Sequence, residues 1–155
     1  MRVLAVWAAA MVAVGGVAGA PAAGAAEGPE ADLAFHGAAS LASGRVDVRF
    51  TPRNHGPSAV SDVTVRLRWS EPPADRQVLP DGCARSGARE VVCRVGALGP
   101  DELGEPIHVR VRLRGTPSEV MLEIDTVWNG GTVDRNRAND RQRVLVLETG
   151  DSYHF

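Results

Sequence analysis

Val63-Thr64-Val65-Arg66-Leu67-Arg68-Trp69 and Ile107-His108-Val109-Arg110-Val111-Arg112-Leu113-Arg114 decide the fold class. In both stretches every second residue is apolar and the residues between are polar. Successive side chains of a β-strand point to opposite faces, so a period of two gives each stretch one apolar and one polar side. A helix would need apolar residues three and four apart instead. The same alternation sets Val46, Val48 and Phe50 against Arg45, Asp47 and Arg49. It also sets Val120, Leu122 and Ile124 against Glu119, Met121, Glu123 and Asp125. Residues 32–35, 76–79, 89–95 and 143–147 are shorter strand candidates.

Turn formers separate these runs: Asn54-His55-Gly56-Pro57, Pro72-Pro73, Pro80-Asp81-Gly82, Gly99-Pro100-Asp101 and Asn129-Gly130-Gly131. Past the first 26 residues, no window combines a helical period with caps. The pattern predicts an all-β chain: an antiparallel two-sheet β-sandwich of about seven or eight strands. A single open sheet would leave too many large aliphatics wet. Residues 70–87, rich in proline, are expected to be irregular.

The opening of the chain reads differently. Arg2 precedes an uncharged apolar run from Val3 to Val17, and small residues follow as far as Ala23-Gly24-Ala25-Ala26. A positive start, a short apolar run and a small-residue cleavage region make a secretory signal peptide. The run is short for a spanning helix, which needs roughly 20 apolar residues. The expected organisation is a signal over 1–26, a short linker over 27–30, the sandwich over 31–148 and a flexible tail over 149–155. The expected destination is the cell exterior, with no membrane attachment after cleavage.

Composition narrows the partners. The chain has 155 residues, 17 basic and 19 acidic, for a net charge of −2; every basic residue is Arg. Removing residues 1–26 takes away one Arg and no acid, leaving 16 − 19 = −3. So slight a balance gives no global attraction to nucleic acid or anionic membrane. Cys83 and Cys93 are the only cysteines. In an exported chain such a pair reads as a disulfide. The competing readings are weaker: the gap is wrong for a Cys-x-x-Cys redox site, and two thiolates without neighbouring His make a poor zinc site.

Enzymatic signatures are missing from the sequence. There is no Gly-x-Ser-x-Gly elbow, no His-Glu-x-x-His and no phosphate-cradling Gly loop, and His36, His55, His108 and His154 stand in no catalytic or metal motif. No cofactor, metal or catalytic residue is expected. The candidate site is a set of arginine ladders: Arg66 and Arg68 on one outward strand face, Arg110, Arg112 and Arg114 on another. In one sheet they would form a basic patch for anionic wall polymer or for a partner's carboxylates. The plainer expectation is cross-strand pairing with Glu123 and Asp125, brought near by a hairpin between Arg114 and Glu119. Asp134-Arg135-Asn136-Arg137-Ala138-Asn139-Asp140 offers oxygen ligands of the kind calcium takes. The interspersed arginines favour instead Asx side chains that bond back to the backbone and shape a turn. Trp69 reads as core; Trp128 reads as a partly buried strand-end residue, with an exposed binding aromatic as the alternative.

The order of these motifs carries a resemblance. Asn54-His55-Gly56-Pro57-Ser58-Ala59 ends one strand and leads to the Val63-Val65-Leu67 strand. Gly82-Cys83 and Val92-Cys93-Arg94-Val95-Gly96-Ala97-Leu98 follow. Asp134-Arg135-Asn136 and Asn139-Asp140 precede the last strand. Over residues 31–147 this resembles the bacterial conserved repeat domain of unknown function "eleven", an Ig-like sandwich of exported surface proteins. The resemblance implies an Ig-like fold with the Cys83–Cys93 bridge inside it, and no catalytic residues. It differs from that family's usual arrangement in having one copy and no wall or membrane anchor, and Asn139-Asp140 stands where the family has a pair of Asn. The expected function is a non-catalytic interaction or structural module of the bacterial exterior, with a protein or cell-wall polymer as partner. The alternative is a soluble secreted carrier of small molecules or a protease inhibitor.

Overall fold

The alternating stretches become long strands in the computed structural model, which describes residues 28–155. The export signal expected over 1–26 lies outside the described residues, as does residue 27 of the linker. Eleven strands follow in chain order: β1 (Glu30–Ala31), β2 (Leu33–Ala42), β3 (Arg45–Asn54), β4 (Val60–Trp69), β5 (Cys83–Gly87), β6 (Glu90–Leu98), β7 (Ile107–Arg112), β8 (Glu119–Trp128), β9 (Val133–Asp134), β10 (Arg141–Leu147) and β11 (Tyr153–His154). Among the described residues there is no helix.

Two antiparallel sheets carry the fold. One has the order β10-β8-β4-β6-β5 and the other β11-β2-β3-β7; β1 and β9 form a separate short parallel pair. The apolar sets of the alternating strands face each other in a shared core. Leu33, Phe35, Leu41, Val46, Val48, Phe50, Val109 and Val111 come from one sheet. Val63, Val65, Leu67, Trp69, Val91, Cys93, Leu122 and Ile124 come from the other. Phe35 and Phe50 meet edge to face with centroids 6.0 Å apart, a favoured arrangement of two ring quadrupoles. Burying each such large side chain contributes about 1.5–3 kcal/mol.

Local chemistry fixes the connections. β2 and β3 are joined by Ser43-Gly44, both at positive φ (51° and 69°). Such a two-residue turn matches the twist of the paired strands. The Glu148 carboxylate accepts the backbone N–H of both turn residues. At Gly37 the chain passes so close to β3 that an added Cβ would sit 2.2 Å from the Arg49 carbonyl oxygen. Only glycine fits there.

Four expectations are corrected. Residues 76–79 form no strand: prolines 72, 73 and 80 lack the N–H that a ladder needs, and the segment lies irregularly along the edge of β7. Residues 83–87, expected to be irregular, form β5, held against β6. The last residues do not hang as a tail. β11 pairs with β2, and Gly37 and Phe155 exchange backbone hydrogen bonds of 3.0 and 3.1 Å. The chain between Arg114 and Glu119 is not a hairpin of paired strands: β7 and β8 lie in different sheets, so it crosses the sandwich.

Candidate functional site

That crossing divides the arginine ladders. Arg66 and Arg68 stand on β4 in the five-stranded sheet; Arg110 and Arg112 stand on β7 in the four-stranded sheet, with Arg114 just beyond it. The single patch expected if the strands shared a sheet does not form.

On the five-stranded sheet Arg66, Arg68, Arg94 and Arg143 are neutralised in place, while Arg85 bonds backbone carbonyls and Arg141 reaches no carboxylate among the described residues. β4 lies beside β8, with Arg66 opposite Asp125 and Arg68 opposite Glu123. The Arg66 guanidinium takes both carboxylate oxygens of Asp125, Nε to Oδ1 at 3.0 Å and a terminal nitrogen to Oδ2 at 2.6 Å. This two-pronged bond raises the Arg66 pKa above its ordinary value, against the opposing effect of burial. Arg68 reaches Glu90 at 2.9 Å and Glu123 at 3.8 Å, Arg143 reaches Glu123 at 3.5 Å, and Arg94 reaches Asp62 at 3.3 Å. A cleft of about 330 Å³ between Arg66, Asp125, Arg141 and Arg143 is lined by both signs of charge. The pairing expected with Glu123 and Asp125 is the arrangement found for Arg66 and Arg68.

The four-stranded sheet is different. β3 and β7 pair so that Arg45 lies directly opposite Arg112, Asp47 opposite Arg110 and Arg49 opposite His108. Asp47 holds two partners, His108 Nε2 at 2.6 Å and Arg110 Nε at 2.8 Å. Burial pushes its carboxyl upward, but those two hydrogen bonds outweigh it and leave the pKa below the ordinary aspartate value. Arg114 pairs with Asp75. Arg45, Arg49 and Arg112 make no ion pair among the described residues, and neither does Arg76 beside them. Arg45, Arg76, Arg110 and Arg112 line a groove of about 430 Å³ together with Gln77, Val78 and Val111. The Gln77 amide fixes its wall: Nε2 donates to the Arg112 carbonyl at 2.8 Å, and Oε1 accepts the Arg112 N–H at 2.9 Å.

The disulfide is present. Cys83 on β5 and Cys93 on β6 face each other in register and are bonded, with Cα atoms 4.0 Å apart. It ties the exposed edge strand β5 to a strand whose Cys93 lies in the core. The Asp134–Asp140 segment uses part of its oxygens within the fold: Asn139 Oδ1 and both Asp140 oxygens are buried without a hydrogen bond, with the Arg137 guanidinium 3.3 Å from Asp140. Asp134 accepts the N–H of Leu33 and of Asn136, both at 2.9 Å, and Asn139 donates to Asp32 at 2.8 Å. Among the described residues no group of three or more His, Cys, Asp or Glu is placed to hold a metal ion. Trp128, expected to be partly buried, is 52% exposed, because a register shift of β8 against β4 interrupts the alternation there.

Two things escaped the sequence. Alternation does not mark Arg45 and Arg49, whose surroundings come from the β3–β7 pairing, or Arg76, which reaches the groove from an irregular segment. In the sequence Asn54 reads as part of a turn. It is wholly buried and uses every bonding position: its Nδ2 donates to Ser58 and Gly99 carbonyls at 2.8 and 3.0 Å, and its Oδ1 accepts the N–H of Gly56 and Asp32 at 3.0 and 3.3 Å. A polar residue closing a strand before a Gly-Pro turn was the available signal.

No family model, curated protein or solved structure matches this chain. The resemblance drawn above therefore stands on its motif residues alone.

Proposed function

We propose that this chain is a secreted, non-catalytic module of the Ig-like kind that binds a partner at the bacterial exterior. Strand order is the observation that carries the reading. β2, β3 and β7 are neighbours as A, B and E are in an Ig sandwich, and β10, β8 and β4 are neighbours as G, F and C are. β6 and β5 extend the second sheet beyond C, and among the described residues no D strand joins the first. The order of the Asn54 turn, the cysteine pair and the segment before β10 supports membership of the conserved repeat domain named above. Export is supported by the N-terminal pattern and by the disulfide, which persists in oxidising compartments. A binding role is supported by the outward faces: they are lined by charged side chains set out on rigid strands, with no nucleophile placed against a base in either of the two arginine clusters.

Expression of the whole chain from its own Met1 in a bacterial host tests this. The expected product is found outside the cytoplasm, starts at Ala26 or Glu27, is two hydrogens lighter than the reduced form, and is partly retained with the envelope. A cytoplasmic product with two free thiols overturns export. A stoichiometric small molecule in the native mass spectrum of the exported protein replaces the module by a carrier.

A further inference from the structure

Arginines of the two outward faces meet different fates. On the five-stranded sheet Arg66, Arg68, Arg94 and Arg143 each reach a carboxylate. On the four-stranded sheet Arg45 and Arg112 stand directly across from each other with no acid on either. Like charges placed opposite in a β-pair destabilise it. The neighbouring Arg49–His108 pair adds no acid, and Asp47 is already shared between His108 and Arg110. Arg76, from the irregular segment, adds another unpaired guanidinium to the same groove. This concentration of cations occurs in a chain whose net charge is −2.

We propose that the groove formed by Arg45, Arg76, Arg110 and Arg112 binds a linear polyol-phosphate polymer, its successive phosphodiesters taken by these guanidiniums. This rests on the exported-module reading and names the ligand of that module. Arg110 gives Asp47 only its Nε and stays 63% exposed, so its terminal nitrogens remain for a ligand; it stands two residues from Arg112 on one strand, and the two repeat at about 6.6 Å along it. Phosphodiesters separated by a short polyol recur on a comparable scale. Guanidinium bonds phosphate oxygens in pairs, and its weak hydration suits a shallow groove.

Other polyanions fit less well. An acidic peptide binding as an added strand needs the free edge of β7. At Arg112 that edge is occupied: the Ala74 N–H and the Gln77 amide already hold its backbone. A single-stranded nucleic acid needs aromatic platforms for its bases, and no aromatic side chain lines this groove. A polymer engaged only through side chains and charge meets neither obstacle.

The test uses the exported chain and a synthetic poly(glycerol phosphate) oligomer, titrated calorimetrically at several salt concentrations. Wild type binds, and the affinity falls as salt rises. Arg45→Gln/Arg76→Gln/Arg112→Gln weakens binding about 100-fold, as expected for losing at least two charge-assisted contacts. The same variant melts at a higher temperature than wild type, because the opposed charges are gone; a merely structural role for these arginines would lower it. Arg66→Gln/Arg68→Gln, on the other sheet, leaves affinity within about twofold, as distant independent sites do. The proposal is overturned if wild type does not bind, if the triple variant binds as well as wild type, or if polygalacturonate, polyglutamate or oligo(dT) binds equally tightly. Export and disulfide status are read separately, so failure here with a normally exported, oxidised protein removes the ligand and leaves the module.

Discussion

Replacing Asn54 by Ala should be among the most damaging single changes in this domain. The side chain is fully buried and closes four hydrogen bonds that join three separate segments: the start of β2, the turn at residues 56–58 and the loop at Gly99. Alanine leaves all four partner groups behind. The Gly56 N–H is the costliest, since its bond is buried and it has no other acceptor; a stranded buried donor costs about 2 kcal/mol. The Ser58 and Gly99 carbonyls lose one bond each, and under-satisfied carbonyls are tolerated better, at about 0.5 kcal/mol apiece. The Asp32 N–H bond is long and partly exposed, worth about 0.5 kcal/mol. The total is about 3.5 kcal/mol. For a domain of this size, with an unfolding entropy of about 2.1 cal/mol/K per residue, the melting temperature falls by about 13 °C. Urea unfolding of Asn54→Ala beside wild type measures the loss directly. Asn54→Asp separates the donor side from the acceptor side. It keeps an acceptor for Gly56 but turns an oxygen toward two carbonyls, so it should be at least as harmful at neutral pH. A loss below about 1 kcal/mol for Asn54→Ala, with an unchanged midpoint slope, would refute the reasoning, because the typical worth of one ordinary bond would then cover all four.

Removing the disulfide with Cys83→Ala/Cys93→Ala should cost about 3 kcal/mol in the chain-entropy account, with amide exchange rising in β5 before β4; equal protection in both variants would show that β5 is held by its hydrogen bonds alone. Ending the chain at Ser152 removes β11 and the reciprocal Gly37–Phe155 bonds, so stability should drop by about 2 kcal/mol. The exposed edge of β2 should also promote concentration-dependent self-association by light scattering; a stable, monodisperse truncation would contradict this. Asp140 gives a pH signature. Burial holds its carboxyl above the usual aspartate range despite Arg137 at 3.3 Å, so between the ordinary value of 3.8 and the raised one the folded state binds more protons than the unfolded chain. Stability therefore falls as pH rises through that window, and the full penalty remains above it. Asp140→Asn should be more stable than wild type at pH 7 and lose that advantage below pH 3.8; a pH-independent difference would exclude this origin.

Alternation predicted faces well and partners poorly. Val46, Val48, Phe50, Val63, Val65, Leu67, Trp69, Val120, Leu122 and Ile124 are all in the core, as their spacing required. The second half of β2, Gly37-Ala38-Ala39-Ser40-Leu41-Ala42, gave no such signal, because small residues fit either face and only Ala39 and Leu41 are buried. β5 was hidden because most of its residues are exposed and its position depends on the bond to Cys93 and on Arg85, whose guanidinium reaches the carbonyls of Pro73, Ala74 and Ala88. The pairing partner of β7 was invisible for a deeper reason. A period of two says which way a side chain points, not which strand lies beside it. Alternation alone leaves Arg110 and Arg112 free to share a sheet with Arg66 and Arg68, although β3 is the neighbour that sets their environment.

Register turns a common residue type into two different devices. Arg66 faces Asp125 across β4 and β8, and a two-pronged ion pair results whose charge is spent inside the sheet. Arg112 faces Arg45 across β3 and β7, and the same side chain becomes a cost to the pair that holds it. Sliding β7 by one residue would remove the clash, but it would also turn Val109 and Val111 outward and expose the core. The buried face therefore fixes the register, and the register sets Arg45 and Arg112 opposite each other. The repulsion could still be relieved within that register by a single acidic or neutral residue at either position, at no cost to packing, since both side chains are exposed. So small a change would stabilise the fold, and the arginines nevertheless converge on one groove with Arg76; that convergence is the observation on which the proposed polyanion site rests.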